Sequence, residues 1–156
     1  MVVGTLSLAW LPVGVLVGAT VGLLATVAMD LPMNRLPEGP TAPKVAAGTL
    51  SGRPLDRAPP RVATAAHYGA GVGTGVLFVS GVAGADWLLD AGVLVVPVVA
   101  VALFALMNWF FSFVVVPTYD RVPGSRVGTV RRDWALSAAA YLLTASVLVA
   151  GVLALG

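Results

Sequence analysis

Four apolar runs, at residues 6–29, 63–85, 91–116 and 134–155, take up most of this chain, and none contains a lysine or an arginine. At about 1.5 Å of rise per helical residue, each is long enough to cross a hydrocarbon core of ~30 Å. All nine basic residues fall in two connecting segments. Arg35, Lys44, Arg53, Arg57 and Arg61 lie between the first and second runs, and Arg121, Arg126, Arg131 and Arg132 between the third and fourth. The link at 86–90 has none. This asymmetry is the positive-inside pattern of a polytopic membrane protein. It predicts an all-α bundle of four transmembrane helices in one domain, with loops 31–62 and 117–133 cytoplasmic and both chain ends outside. The expected location is the plasma membrane of a prokaryote.

Composition agrees with that reading. The chain is 58% hydrophobic and 10% charged, with mean hydropathy +0.95, too apolar for a soluble domain of this length. The formal charge of +2 is uneven, with the positive charge confined to the two connectors, so the basic residues are expected to face anionic lipid headgroups rather than nucleic acid, which would need a basic face on a folded domain. Arg35, Arg121, Arg131 and Arg132 are the expected headgroup contacts. Without cysteine, thiolate catalysis and cysteine metal sites are excluded, and the single histidine, His67, rules out two-histidine ligation within one chain. No metal or other cofactor is expected.

Polar residues near the spans are few, which makes each one informative. Span one carries Gly14, Gly18 and Gly22 at spacing four, then Thr26 and Asp30, and span two carries His67, Gly71 and Gly75 at the same spacing. Small residues every fourth position let helix backbones approach closely. The topology makes these spans antiparallel, so packed glycine stripes would bring Asp30 and His67 to similar depth. Such a pair could exchange protons; the plainer expectation is that Asp30 reaches the headgroups or pairs with Arg35. In span three, Asn108 and Trp109 lie near mid-membrane, with the amide expected to bond across helices and the aromatics of 109–113 to fill space left by the glycines. The alternative is that Asn108 and Trp109 line a cavity. Trp10 and Trp87 are expected at the outer interface and Trp134 at the inner one.

Loop 31–62 holds seven of the eleven prolines, which predicts an irregular strap with a short helix near 43–49. The halves also resemble each other: Pro32-Met33-Asn34-Arg35-Leu36-Pro37 is matched by Pro117 through Arg121-Val122-Pro123, and Ala66-His67-Tyr68 by Ala139-Ala140-Tyr141. Two tandem helical hairpins, related by duplication, would produce that echo. The run Gly69 to Gly75 is not a dinucleotide fingerprint, because it lies inside a span rather than between a strand and a helix.

Gly18-Ala-Thr-Val-Gly22 running into Ala25-Thr26-Val27-Ala28-Met29-Asp30, followed by Ala66-His67-Tyr68, Gly71 and Gly75, is similar to small prokaryotic four-helix membrane proteins, the YagU-like inner-membrane group among them. Trp109 and Pro117 fit the same pattern. The resemblance implies the fold and gives weight to His67, but it implies no reaction. The expected function is therefore non-enzymatic: a structural, assembly or accessory subunit using its glycine faces for packing, as a homo-oligomer or with a membrane-protein partner. The alternative is a small oligomeric permease or channel for an ion, proton or small solute, with Asp30, His67 and Asn108 on its path. One histidine, no cysteine and few acids leave an intramembrane enzyme little equipment.

Overall fold

A computed structural model describes residues 10–119 and 122–155, in which every regular element is helical. Arg121 lies outside the described residues, as does the side chain of Trp10. Helix α1 spans Trp10–Met33, α2 Thr41–Ser51, α3 Pro60–Leu89, α4 Val95–Phe110, α5 Val116–Thr118 and α6 Gly124–Leu155; a π-turn at Phe111–Val115 joins α4 to α5 without a break in direction. Four segments are long and apolar enough to cross a membrane: Pro12–Met33, Pro60–Leu89, Gly92–Thr118 and Gly124–Ala154. The chain is an all-α, multi-pass membrane bundle. Helices α1 and α4 each pack against both α3 and α6, so every long neighbour runs antiparallel to the next.

The ends follow from local chemistry. Pro60 starts α3 at the first helical position, where a missing N–H costs nothing, after Pro59 in extended conformation. Asp90 closes α3 in the left-handed region, its N–H bonded to the Asp86 carbonyl, while the Asp86 side chain accepts from the Gly92 N–H at 2.6 Å. Pro32 lies in the last turn of α1 and does not stop it. The chain then turns tightly at Gly39, where a Cβ would strike the Met33 backbone.

Two expected boundaries move. Helix α6 begins at Gly124, ten residues before the expected span, so most of the 117–133 connector is helix rather than loop. The proline-rich strap also carries more order than expected. Its helix α2 runs the full Thr41–Ser51 and buries Val45 and Ala47 completely against the bundle. Gly48 of α2 lies flat on Tyr119, whose hydroxyl donates to the Arg53 carbonyl at 3.1 Å. Pro43 falls in the first turn of α2, where its missing N–H would have no partner within the helix, and Gly52 closes the helix in the left-handed region.

The interior has two apolar parts. The larger is built from Val21, Ala25 and Met29 of α1, Phe78 of α3, Val96 of α4 and Tyr141 of α6. The smaller lies beneath the strap, around Val45, Phe111, Tyr119 and Val130. Between α1 and α3 there is almost no side-chain layer. A Cβ on Gly22 would lie 2.5 Å from the Gly71 carbonyl oxygen, and one on Gly18 2.6 Å from Val76 Cα. Gly14 does not share in this: nothing lies within 4 Å of its Cβ position, so the close backbone contact does not extend to that turn.

Candidate functional site

The glycine seam sets the register of everything on its loop side. Asp30 lies in the last turn of α1, and His67 and Tyr68 lie in the first turns of α3. With the backbones in contact at Gly22 and Gly71 and Thr26 also against Gly71, about two further turns of α1 and one of α3 bring these three together. His67 Nε2 lies 2.9 Å from Asp30 Oδ1, and the Tyr68 hydroxyl donates to Asp30 Oδ2 at 2.6 Å. The His67 and Tyr68 rings meet edge to face at 5.3 Å. The His67 side chain is 10% exposed and that of Asp30 33%. Both carboxylate oxygens therefore have a donor, which is how a carboxylate at the edge of a membrane span avoids an uncompensated charge. Arg35 takes no part; its guanidinium reaches the Leu31 carbonyl instead.

Two cavities share His67 as a wall. One, of about 310 Å³, is apolar and opens among α1, α2, α3, α4 and α6. Its space comes from small side chains where α2 faces α3, namely Ala42, Ala46, Ala66 and Ala70, and its far walls are Phe110, Phe111, Trp134 and Tyr141. The other, of about 320 Å³, is more polar and includes Asp30, Asn34, Lys44, Thr64 and Tyr68. Most polar groups of the apolar chamber are already engaged. The Thr26 hydroxyl donates to the Gly22 carbonyl and the Tyr141 hydroxyl to the Gly71 carbonyl, each at 2.6 Å.

Tyr141 thus ties α6 to the glycine stripe of α3, whereas Tyr68, its counterpart in the sequence echo, serves Asp30. The two matched positions have different partners.

The π-turn shapes the chamber's other side. It turns Phe111 inward to stack on Trp134 at 4.5 Å, and the Ser112 carbonyl accepts from Arg131 Nη2 at 2.8 Å. Trp134 is therefore a wall of the chamber rather than only an interfacial anchor. Asn108 does not bond across helices; its amide donates to the Phe104 carbonyl of its own helix at 2.8 Å. Trp109 is 55% exposed, with Phe110 and Phe113 also outward. Trp109 and Phe113 face the surroundings, Phe110 is half exposed while still lining the chamber, and neither Asn108 nor Trp109 lines either cavity.

A polar clamp missing from the sequence reading holds the strap to α6. The Glu38 N–H donates to Asp133 Oδ2 at 2.9 Å, and Arg126 reaches both Glu38 carboxylate oxygens at 2.7 Å. Thr41 donates to the same carboxylate at 2.5 Å. Asp133 is fully buried and also accepts from Arg132. The Arg126 guanidinium holds the Glu38 carboxyl below its ordinary value of 4.5. Spacing along the chain carries no signal for a contact across 88 residues; an acid immediately before Trp134 was the one visible hint. Arg35 stays exposed, while Arg131 lies partly buried over Phe113.

Chemically, the Tyr68–Asp30–His67 cluster can pass a proton and can donate or accept hydrogen bonds at the edge of an apolar chamber. Asp30 and His67 amount to two metal ligands, and no third joins them among the described residues. Comparison with protein-family models, with curated proteins and with solved structures finds no match.

Proposed function

We propose that this protein is a non-enzymatic accessory subunit of a prokaryotic plasma membrane whose bundle holds a lipophilic molecule in the chamber beside His67. Its basic segments lie on the cytoplasmic face and its termini outside, with the exposed Arg35 and Arg132 toward anionic headgroups and Arg131 engaged within the bundle instead. The observation carrying the binding reading is the position of His67, a wall common to an apolar chamber and a polar cavity. An apolar cavity of this size with a few convergent polar groups is the usual form of a small-molecule site. The glycine faces are spent within the chain, so a partner subunit would meet the outward aromatic face around Trp109 instead.

Native mass spectrometry from mild detergent tests this. The wild type should retain a non-protein mass that Ala46→Phe and Ala66→Phe, which fill the chamber, lose while staying folded. If no such mass is found, or the filled variants keep it, the binding reading fails.

A second reading, a proton-linked permease, draws on the Asp30–His67–Tyr68 cluster. It predicts solute uptake in proteoliposomes that Asp30→Asn or His67→Ala abolishes. Asn108, bonded to its own helix, would have no part in that path.

A further inference from the structure

Two polar groups on residues that line the chamber are left unspent by the fold. His67 uses Nε2 on Asp30, and its Nδ1 has no hydrogen-bond partner among the described residues. The Thr74 hydroxyl, two turns along α3 and about 10 Å away, likewise has none. Trp134 Nε1 is buried too deeply to be offered.

The partners of His67 decide what it can recognise. With Asp30 accepting from Tyr68 as well, an imidazole that donates Nε2–H to the same carboxylate carries its lone pair on Nδ1. The complement to that atom is an O–H donor. An anionic headgroup fits poorly: no arginine lines either cavity, and the only lysine, Lys44, shares its cavity with the Asp30 carboxylate. The walls favour a flat ring. Phe110, Phe111 and Trp134 present aromatic surface and Met29 and Met107 thioethers, which pack well against ring systems. The volume, about 310 Å³, is roughly twice that of an engineered ~150 Å³ cavity that accepts benzene. Two fused rings fit.

We propose that the chamber binds a neutral hydroxy-aromatic lipid whose hydroxyl donates to Nδ1 of His67. This rests on the binding reading above and adds the chemical class of the ligand.

The test uses the single histidine of the chain. Protein labelled with ¹⁵N-histidine, in nanodiscs, is titrated with 1-naphthol, naphthalene and 1-naphthoate. Binding is read by tryptophan emission, with the Ala66→Phe protein as the control for partition into lipid. The expected result is that 1-naphthol binds roughly fivefold to tenfold more tightly than naphthalene, the worth of one hydrogen bond. It should also shift the His67 Nδ1 resonance, which naphthalene leaves in place, and 1-naphthoate should gain nothing over naphthalene. Thr74→Val should keep the preference and His67→Phe should erase it. The resonance of the wild type answers the question even if His67→Phe does not fold.

Equal affinity for naphthol and naphthalene, a silent Nδ1, a preference for naphthoate, or loss of the preference in Thr74→Val would each overturn the hydroxyl assignment while leaving the chamber a binding site. If none of the three compounds binds better to the wild type than to Ala66→Phe, the binding reading itself falls.

Discussion

Gly73 and Gly75 lie two residues apart on one helix, and alanine at the two positions should have opposite consequences. At Gly75 a Cβ would strike the Gly18 carbonyl oxygen and the Gly22 backbone; at Gly73 nothing lies within 4 Å. The intrinsic helix preference for alanine over glycine, up to ~1 kcal/mol, is the same at both sites and cancels in the comparison. What remains is the cost of forcing a methyl group between two backbones. Overpacking usually costs ~1–3 kcal/mol, with flexible side chains absorbing part of the strain. Here the struck atoms are main chain and cannot rotate away, so the helices must separate. Gly75→Ala should therefore be ~1–3 kcal/mol less stable than Gly73→Ala, a gap of roughly 2–12 °C in Tm for a domain of this size. Unfolding in mild detergent, by heat or by titrated dodecyl sulfate and followed by circular dichroism, measures it. Gly22→Ala and Gly14→Ala repeat the comparison on α1. If members of each pair unfold within ~0.5 kcal/mol of one another, the seam is not a close backbone contact and the register argued from it is wrong.

Three further outcomes follow from the polar groups and the outer face. Asp30→Ala leaves the Tyr68 hydroxyl and His67 Nε2 without their acceptor and should cost ~1–3 kcal/mol, more than Tyr68→Phe, which leaves the His67 contact standing; equal losses would show that the carboxylate does not join the two. Glu38 titrates below its ordinary 4.5 in the folded protein because Arg126 favours the charged form. Its contribution is therefore complete above that pH and is lost as the pH falls through the lowered folded value. Protection of the amides at residues 34–41, relative to their intrinsic exchange at each pH, should fall on acidification in the wild type and already be low at neutral pH in Glu38→Gln; protection unchanged by the substitution would count against the clamp. Trp109→Ala should leave monomer stability within ~0.5 kcal/mol, since the ring lies outward, and a drop in oligomer mass without loss of stability would mark that face as a subunit contact.

Much of the architecture was legible because lipid removes most alternatives. Long uncharged runs have to be helices when every backbone group must bond within its own segment, and spacing-four glycines on two antiparallel spans have a natural way to meet. The Asp30–His67 encounter followed from the same register. What periodicity could not reveal was direction around the helix in span three. Asn108 and Trp109 looked notable because they interrupt an aliphatic run, yet Trp109 faces outward, and it is Phe111, at the start of the π-turn Phe111–Val115, that is buried. A π-turn adds a residue to one turn without any residue type that marks it. The clamp was hidden for another reason. Glu38, Arg126 and Asp133 read as ordinary connector charges, and only the extension of α6 back to Gly124 brings Arg126 beside the strap.

The seam and the site are parts of one arrangement. A one-turn slip of α1 along α3 would carry Asp30 about 5.4 Å from its partners, leaving a carboxylate, a phenol and an imidazole with nothing but hydrocarbon or headgroups around them. Large interlocking side chains often tolerate alternative rotamers and small shifts of a helix. Bare backbones in contact do not, because Gly18 and Gly22 have no side chain to re-form around a new position of Gly71 and Gly75. Tyr141 adds a second constraint, since its hydroxyl is aimed at one carbonyl, that of Gly71. The glycines thus act on the site from a distance: without touching a ligand, they fix where His67 stands relative to Asp30, and so which of its nitrogens is left for the chamber. A substitution in the seam should therefore alter the His67 Nδ1 resonance in the absence of any added compound, while one at Gly73 should not.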